Sequence, residues 1–305
     1  MTVVAVPGTT GTTAGEQVPD PPARGLASRL VGWLTGRLLG GLLVVVALFW
    51  LMPVLGLLVS SLRSEADNRA SGWWTVFTAP AQLTVANYEN VVRDEALARS
   101  LWNTVLISVP ATLLVVVLAS LAAYALAWID FRGRDWLLLG IVAMLVMPIQ
   151  MALIPIAKLY SVLGMFGSIA GVVLFHVAFG LPFGVFLLRN FFAGIPRDLL
   201  EAARMDGASE WVIFRRVVVP VGLPAIASLA IFQFLWVWND LLVALVFAGQ
   251  DNQPITVALQ SQLRQFGSNI DLLAAGSFLS MMVPLVVFFS LQRYFVQGVL
   301  AGSTK

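Results

Sequence analysis

Long apolar runs recur along the chain, and short polar segments separate them. The hydrocarbon core of a membrane is about 30 Å thick and needs about 20 helical residues to cross it. The runs reach that length, so the pattern predicts six transmembrane helices and an all-α integral membrane fold. The predicted spans cover about 38–62, 101–129, 136–160, 169–188, 217–247 and 272–291. An even number of spans places both termini on the same side of the membrane.

The first 30 residues differ in composition from the rest. Residues 1 to about 24 are rich in Gly, Thr, Pro and Val and carry almost no charge. Such a segment cannot bury a core of its own, so we expect a disordered cytoplasmic tail over 1–30. No apolar stretch precedes a cleavage site there, which argues against a signal peptide. Residues 31–305 are expected to form one transmembrane domain.

The overall composition indicates that lipid is the solvent for much of the chain. Hydrophobic residues make up 59% of the 305 residues and charged residues 11%, whereas a soluble domain carries charge on about 25% of its residues. The chain has no cysteine and a single histidine, His176. Disulfides, thiol catalysis and a multi-histidine metal site are therefore excluded. The net charge of only +2, with dispersed arginines, argues against a nucleic-acid partner.

Lys and Arg are unequally divided between the two sides of the predicted spans. The N-terminal segment, the 130–135 and 189–216 connections and the C-terminus carry 12 of the 18 basic residues. The other connections carry 6. Basic residues accumulate on the cytoplasmic side of membrane proteins, so we expect both termini to be cytoplasmic. The expected location is the inner (plasma) membrane of a bacterium, in contact with lipid along every span.

The chain lacks the residues that would let it drive transport alone. Neither Lys158 nor Lys305 stands in the Gly-Lys-Ser/Thr sequence of a phosphate-binding loop, so no ATP hydrolysis is expected here. A proton-coupled carrier places ionisable groups inside its spans, and only His176, Asp240 and Lys158 lie in or near them. We therefore expect energy to come from a partner. Two alternatives remain open: a secondary transporter that needs no ATPase, and an intramembrane enzyme, which would need polar residues clustered at one membrane face. The sequence offers no catalytic cluster.

The 189–216 connection is predicted to hold two short helices. Pro196 can open the first, because its missing N–H is not needed in the first turn, and Gly207 can end it in the left-handed conformation. Ser209 can cap the second helix. Glu201 is flanked at helical spacing by Arg197 and Arg204. Small alanines between these charges would let another surface come close, so the segment is interpreted as a docking element or as an ordinary loop that covers helix ends.

This connection also contains a motif. Glu201-Ala202-Ala203, followed after three residues by Gly207, resembles the EAA loop of binding-protein-dependent ABC importers. Val219-Pro220 stands where that family usually has Leu-Pro. The resemblance implies a helix that fits a cleft on a separate ATPase subunit. It assigns ATPase coupling to Glu201, Ala202, Ala203, Arg204, Asp206, Gly207, Ala208 and Phe214.

Other stretches resemble the carbohydrate, maltose-type branch of these importers. They are Ala86-Asn87-Tyr88, Asn103-Thr104, residues 122–127, Trp238-Asn239-Asp240 and residues 292–298. The resemblance implies a type I ABC importer permease that translocates a di- or oligosaccharide by alternating access. It implies as partners a second homologous permease, a dimer of ATPase subunits that bind ATP and Mg, and an external sugar-binding protein. It implies no cofactor and no enzymatic activity in this chain.

A polar and aromatic group lies late in the fifth predicted span, near the outer interface. It consists of Trp236, Trp238, Asn239 and Asp240. Aromatic faces with an amide and a carboxylate suit a polyhydroxylated ring, so these four residues are the candidates for the substrate pathway. The alternative is an aromatic belt beside a solvated carboxylate. His176, in the middle of the fourth span, is expected to hydrogen-bond a neighbouring helix.

Overall fold

The computed structural model of the chain describes residues 26–266 and 270–303, so most of the predicted 1–30 tail lies outside the described residues. The described residues form helices, with two isolated β-bridges and no longer strand. The helices are α1 (Leu26–Ser61), α2 (Glu65–Ala70), α3 (Ala86–Arg93), α4 (Glu95–Trp128), α5 (Arg134–Leu145), α6 (Ile149–Leu163), α7 (Ile169–Ala193), α8 (Arg197–Met205), α9 (Glu210–Ile213), α10 (Val219–Trp238), α11 (Leu242–Phe247), α12 (Ile255–Phe266) and α13 (Ile270–Ser303). A π-helical turn, Phe214–Val218, joins α9 to α10.

Five helical stretches of the described chain are long and apolar enough to cross a membrane. They are Arg37–Ser61, Glu95–Trp128, Ile169–Ala193, Glu210–Trp238 and Asp271–Arg293. The pair α5 and α6 forms a sixth if it is counted as one span, although its two helices meet at an angle of 100°. The all-α membrane class predicted from the apolar runs is confirmed. The third predicted span, 136–160, is a broken helix, whereas the sequence pattern indicated a continuous one.

Pro148 explains where the third span breaks. It occupies the N-cap of α6 with an extended ψ of 128°, and a proline disfavours helical geometry at the residue before it. The fifth predicted span, 217–247, is also interrupted. Its main helix ends at Trp238, and the short helix α11 follows.

The chain divides into two compact units between Val54 and Leu55. In the first unit, the apolar side chains of α1 from Leu38 onward are exposed. In the second unit, α4, α7 and α10 pack around a core of small and aliphatic side chains. Its fully buried members include Val115, Ala119, Leu188 and Leu229.

Gly184 of α7 lets the three core helices approach closely. A Cβ at this position would lie 2.9 Å from the Ala119 Cβ, 3.2 Å from Leu229 and 3.3 Å from Val115. Small residues at helix contacts serve this purpose in membrane proteins, where close packing replaces the hydrophobic driving force.

The Gly184→Ala variant is therefore expected to lower the stability of the chain by about 1–3 kcal/mol, because the added methyl group overpacks the core. The measurement is thermal unfolding of the purified protein in detergent. Gly140→Ala is the matched control, since a Cβ there meets nothing within 4 Å. Equal melting temperatures for the two variants would show that the core accommodates a methyl group at position 184 without loss of stability.

The segment after α1 folds around a buried arginine. The Arg63 side chain is fully buried. Its Nε donates to Gln82 Oε1 at 3.1 Å, and one Nη donates to the Asp67 carbonyl at 2.9 Å and to Ser71 Oγ at 2.7 Å. Asn87 donates to the Arg63 carbonyl at 2.7 Å. Arg63 thus organises α2 and the turns that lead to α3.

The pair Asn103-Thr104 near the start of α4 holds the connection between α11 and α12. Asn103 Nδ2 donates to the carbonyls of Asp251 at 3.1 Å and Gln253 at 3.2 Å. Thr104 Oγ1 accepts from the Ile255 amide at 2.8 Å. These two side chains satisfy backbone groups that would otherwise be orphaned at the ends of helices.

Candidate functional site

The helix α8 forms the centre of the 189–216 connection. Pro196 precedes its first residue, Asp198 lies in its first turn and Arg204 in its last turn. It ends in a Schellman arrangement, in which the Gly207 amide donates to the Arg204 carbonyl at 3.0 Å and the Ala208 amide donates to the Ala203 carbonyl at 3.1 Å. Gly207 has a φ of +79°, the left-handed conformation that glycine adopts without strain.

One side of α8 is anchored and the other is open. Leu200 is fully buried and belongs to the core cluster that also contains Leu188 and Phe192. The exposed side, here called the outer face of α8, consists of Leu199, Glu201, Ala202 and Met205 of α8 together with Trp211 of α9. Among the remaining coupling candidates, Arg204, Asp206 and Gly207 are exposed, Ala203 and Ala208 are half-buried, and Phe214 is buried. The outer face therefore combines apolar side chains with the exposed carboxylate of Glu201 on a firmly anchored helix.

A hydrogen-bonded bridge connects α8 to the end of α4. Glu210, the first residue of α9, accepts from Arg204 Nε at 3.0 Å through one oxygen and from the Tyr124 hydroxyl through the other. The bond to Glu210 raises the pKa of the Arg204 guanidinium above its ordinary value, so Arg204 is fully charged. The Tyr124 ring also packs on Phe214, with ring centroids 5.3 Å apart.

The structure corrects two local expectations for this segment. Arg204 forms its ion pair with Glu210 across the turn after α8, and not with Glu201 at helical spacing. Ser209 occupies the N-cap position of α9, but its side chain makes no capping hydrogen bond. No local sequence pattern indicates the role of Glu210, because its partner Tyr124 lies 86 residues away.

The four candidates for the substrate pathway do not form a single patch. Trp238 is buried, and its Nε1 donates to the Ser280 carbonyl at 3.1 Å. Pro284 has no N–H to offer this carbonyl four residues before it. The Trp238 indole therefore replaces a missing backbone bond inside α13.

Asp240 has a structural partner as well. Its two carboxylate oxygens accept from the amides of Val243 at 3.2 Å and Ala244 at 3.0 Å, which caps α11. His176 is buried, and its Nε2 lies 3.5 Å from the Asp240 carboxylate. The Trp236 ring meets the His176 ring edge to face at 5.1 Å. His176 thus faces α10 and the residues that follow it, but neither of its ring nitrogens has a hydrogen-bond partner, so the predicted hydrogen bond to a neighbouring helix is wrong.

Asn239 is the pathway candidate that lines an open cavity. The cavity has a volume of about 400 Å³ and lies between α10, α12 and α13. Ser277 and Ser280 contribute to its wall, together with Met281 and Phe288. An amide and two serines beside apolar side chains can offer hydrogen bonds and a stacking surface. In the described part of the chain, no three His, Asp or Glu side chains come together as a metal site would require.

The apolar helices and the anchored helix α8 fit a multi-pass membrane protein. The chain belongs to the family of binding-protein-dependent transport system inner membrane components, whose model matches residues 115–301. It is therefore a multi-pass inner-membrane permease subunit of an ABC importer, as the EAA-type motif implied.

Individual relatives agree with this assignment. The chain is 49% identical over 268 residues to the osmoprotective compounds uptake permease protein GgtD of Synechocystis, covering 86% of this chain and 90% of the relative. It is 46% identical to the alpha-glucoside transport system permease protein AglG of Rhizobium meliloti, over 81% of this chain and 67% of that relative. Its fold matches a chain of a bacterial ABC transporter involved in the import of the acidic polysaccharide alginate, with a TM-score of 0.74 and 24% sequence identity. The match covers 90% of this chain and 100% of that one.

Proposed function

We propose that this permease subunit imports a di- or oligosaccharide and couples to a separate ATPase through α8. The observation that carries the coupling proposal is the outer face of α8, where Glu201 stands among exposed apolar side chains on a helix anchored by Leu200. An exposed apolar surface of this kind is typical of a docking site. The sugar class is supported by the alpha-glucoside permease among the relatives.

The proposed assembly contains three kinds of protein partner. A second homologous permease completes the translocation pathway, and a dimer of ATPase subunits binds ATP and Mg. An external sugar-binding protein delivers the substrate, in keeping with the family description. Binding of ATP closes the ATPase dimer, and the docked α8 passes this movement to the membrane helices. Glu201 makes a charge-assisted contact with a basic group of the ATPase.

The proposed orientation has both termini in the cytoplasm. The uneven distribution of Lys and Arg supports it, and so does the position of α8, which must face the cytoplasm to meet an ATPase. The connection around Arg63 then faces outward, where a sugar-binding protein arrives.

The substrate pathway is proposed to pass the cavity between α10, α12 and α13. Asn239 and the nearby Ser277 and Ser280 supply hydrogen-bonding groups for sugar hydroxyls. Trp236, which is 39% exposed, offers an aromatic surface on the same helix. Trp238 and Asp240 are assigned the supporting role of holding α13 and α11 in position.

Cysteine labelling tests this pathway directly, because the chain contains no cysteine of its own. Single cysteines at Asn239 and Ser277 in the assembled transporter are expected to react with a membrane-impermeant maleimide, and saturating maltose or another transported sugar should slow the reaction. The control is a cysteine at Trp136, a residue 79% exposed at the start of α5, where sugar should change nothing. Equal labelling rates at Asn239 and Ser277 with and without sugar would contradict the pathway.

An energy test separates the proposal from a secondary transporter. Uptake by cells that express the complete system should stop when ATP is depleted while the ion gradient is kept. Uptake that instead follows the ion gradient would overturn ATP coupling.

A further inference from the structure

We infer that Glu210 is a positioning residue that fixes α8 to the cytoplasmic end of α4, so that movement of the docked α8 is delivered to α4. This inference rests on the proposed function, since it takes α8 as the helix on which the ATPase acts. It concerns a residue outside the coupling motif, and it assigns a specific path by which the movement leaves the loop.

The geometry of the bridge supports a directional connection. The Glu210 carboxylate uses one oxygen for Arg204, which belongs to α8, and the other for Tyr124, which belongs to α4. The two contacts involve a charged acceptor, and such hydrogen bonds are shorter and stronger than neutral ones. Hydrogen bonds also fix distance and angle, whereas aliphatic contacts such as those of Ile213 in the same core cluster are non-directional. The carboxylate therefore makes a link that apolar packing alone would leave free to slide.

The helix α4 is suited to receive the movement. Tyr124 is 5% exposed and belongs to the same core cluster as Ala119 and Ala123 of α4, which are fully buried. Trp128, the last residue of α4, donates its indole N–H to the Phe192 carbonyl at the end of α7 at 3.0 Å. A shift of the end of α4 is thus passed to the packed part of the membrane domain.

The covalent route from α8 into the membrane helices leads to α10 and is less direct than the hydrogen-bonded bridge to α4. It runs through α9 and the π-helical turn Phe214–Val218, in which the Val219 amide bonds to the Phe214 carbonyl. Such turns interrupt the regular hydrogen-bond ladder and are often found at functional sites. The bridge through Glu210 bypasses this turn.

Loss of the bridge should change coupling more than folding. The side chains of Arg204 and Glu210 are 41% and 46% exposed, and ion pairs this exposed contribute little to stability. Variants at Glu210 can therefore be compared as folded, assembled transporters.

The test uses the complete transporter in proteoliposomes, with the sugar transported per ATP hydrolysed as the readout. Glu210→Ala and Tyr124→Phe are expected to keep the ATPase bound and hydrolysing ATP, while the transport ratio falls by about fivefold or more, a coupling of the size found between linked sites. The transport ratio of Glu210→Gln should lie between those of Glu210→Ala and the unaltered transporter, because the amide oxygen of the glutamine can still accept from Tyr124. The double variant should be no worse than the more severe single variant, because both remove the same link.

Asp135→Asn is the matched control, an exposed carboxylate at the start of α5 whose loss should leave the ratio unchanged. A normal ratio in Glu210→Ala, or additive losses in the double variant, would overturn the role of Glu210. Equal losses of transport and ATP hydrolysis would overturn it too, since they would indicate a role in assembly. Failure of the unaltered transporter to bind an ATPase at all would instead refute the proposed function.

Discussion

The Glu201→Lys variant is expected to abolish sugar uptake, to below about a tenth of the normal rate, while the chain remains folded and in the membrane. Glu201 is exposed on the outer face of α8, so the packing of the chain does not depend on its side chain. Reversing its charge against a basic group of the ATPase replaces attraction by repulsion, and like charges across an interface cost several kcal/mol. The measurement is uptake of radiolabelled sugar together with the amount of chain in the membrane fraction.

A charge reversal at Asp135 provides the control for this result. Its carboxylate is also highly exposed but lies in the first turn of α5 and is not part of the outer face of α8. Asp135→Lys should transport normally at the same expression level. Normal uptake by Glu201→Lys, or equal loss in both variants, would contradict the assignment of α8 as the site of coupling.

The Arg63→Ala variant is expected to produce the largest loss of stability, at least about 3 kcal/mol, because each hydrogen bond to a charged group contributes about 1.5–3 kcal/mol. Arg63 is fully buried and bonds to Gln82, Asp67 and Ser71. Its removal leaves these acceptors without their donor and opens a space in the segment that joins α1 to α3. The measurement is thermal unfolding in detergent, with limited trypsin digestion of the predicted external segment.

Arg69→Ala is the matched control for Arg63→Ala. Arg69 lies in the same segment, but its side chain is 55% exposed and pairs with Glu65 along α2. Surface pairs of this kind contribute about 0.3–0.5 kcal/mol. The two variants should therefore differ clearly in melting temperature and in protease sensitivity. Indistinguishable behaviour would show that the buried network around Arg63 does not hold the segment together.

The sequence predicts the membrane helices well because their signal is local. Apolar runs of sufficient length define the spans wherever they lie, and the bounds of α8 follow from Pro196 and Gly207, which act on their own backbone. The break at Pro148 could also have been anticipated, but proline alone is an ambiguous signal. Pro110, Pro182 and Pro284 lie inside unbroken helices. Whether a proline breaks a helix depends on contacts with other helices. The bond from Trp238 to the Ser280 carbonyl, which replaces the bond that Pro284 cannot make, is an example.

The part of the candidate site that has a local signal in the sequence is predictable too. The segment proposed to couple to the ATPase has a contiguous motif, so the position of α8 follows from the sequence, whereas its exposed face is seen only in the structure. The pathway candidates are neighbours in the chain, yet successive residues of a helix point in different directions. Trp238 and Asp240 consequently bond to α13 and α11, whereas Asn239, which donates to the Leu235 carbonyl of its own helix, lines a cavity. Glu210 and Arg63 could not be singled out, because their contacts join residues that only the fold brings together.

Purification of the tagged chain in mild detergent at native expression level, with identification of the co-purifying proteins by mass spectrometry, tests the central claim most directly. The account predicts an ATPase and a second membrane protein of the same family in the eluate, and loss of the ATPase from the Glu201→Lys variant. A chain that elutes alone, or only with copies of itself, under conditions that preserve membrane complexes would contradict it.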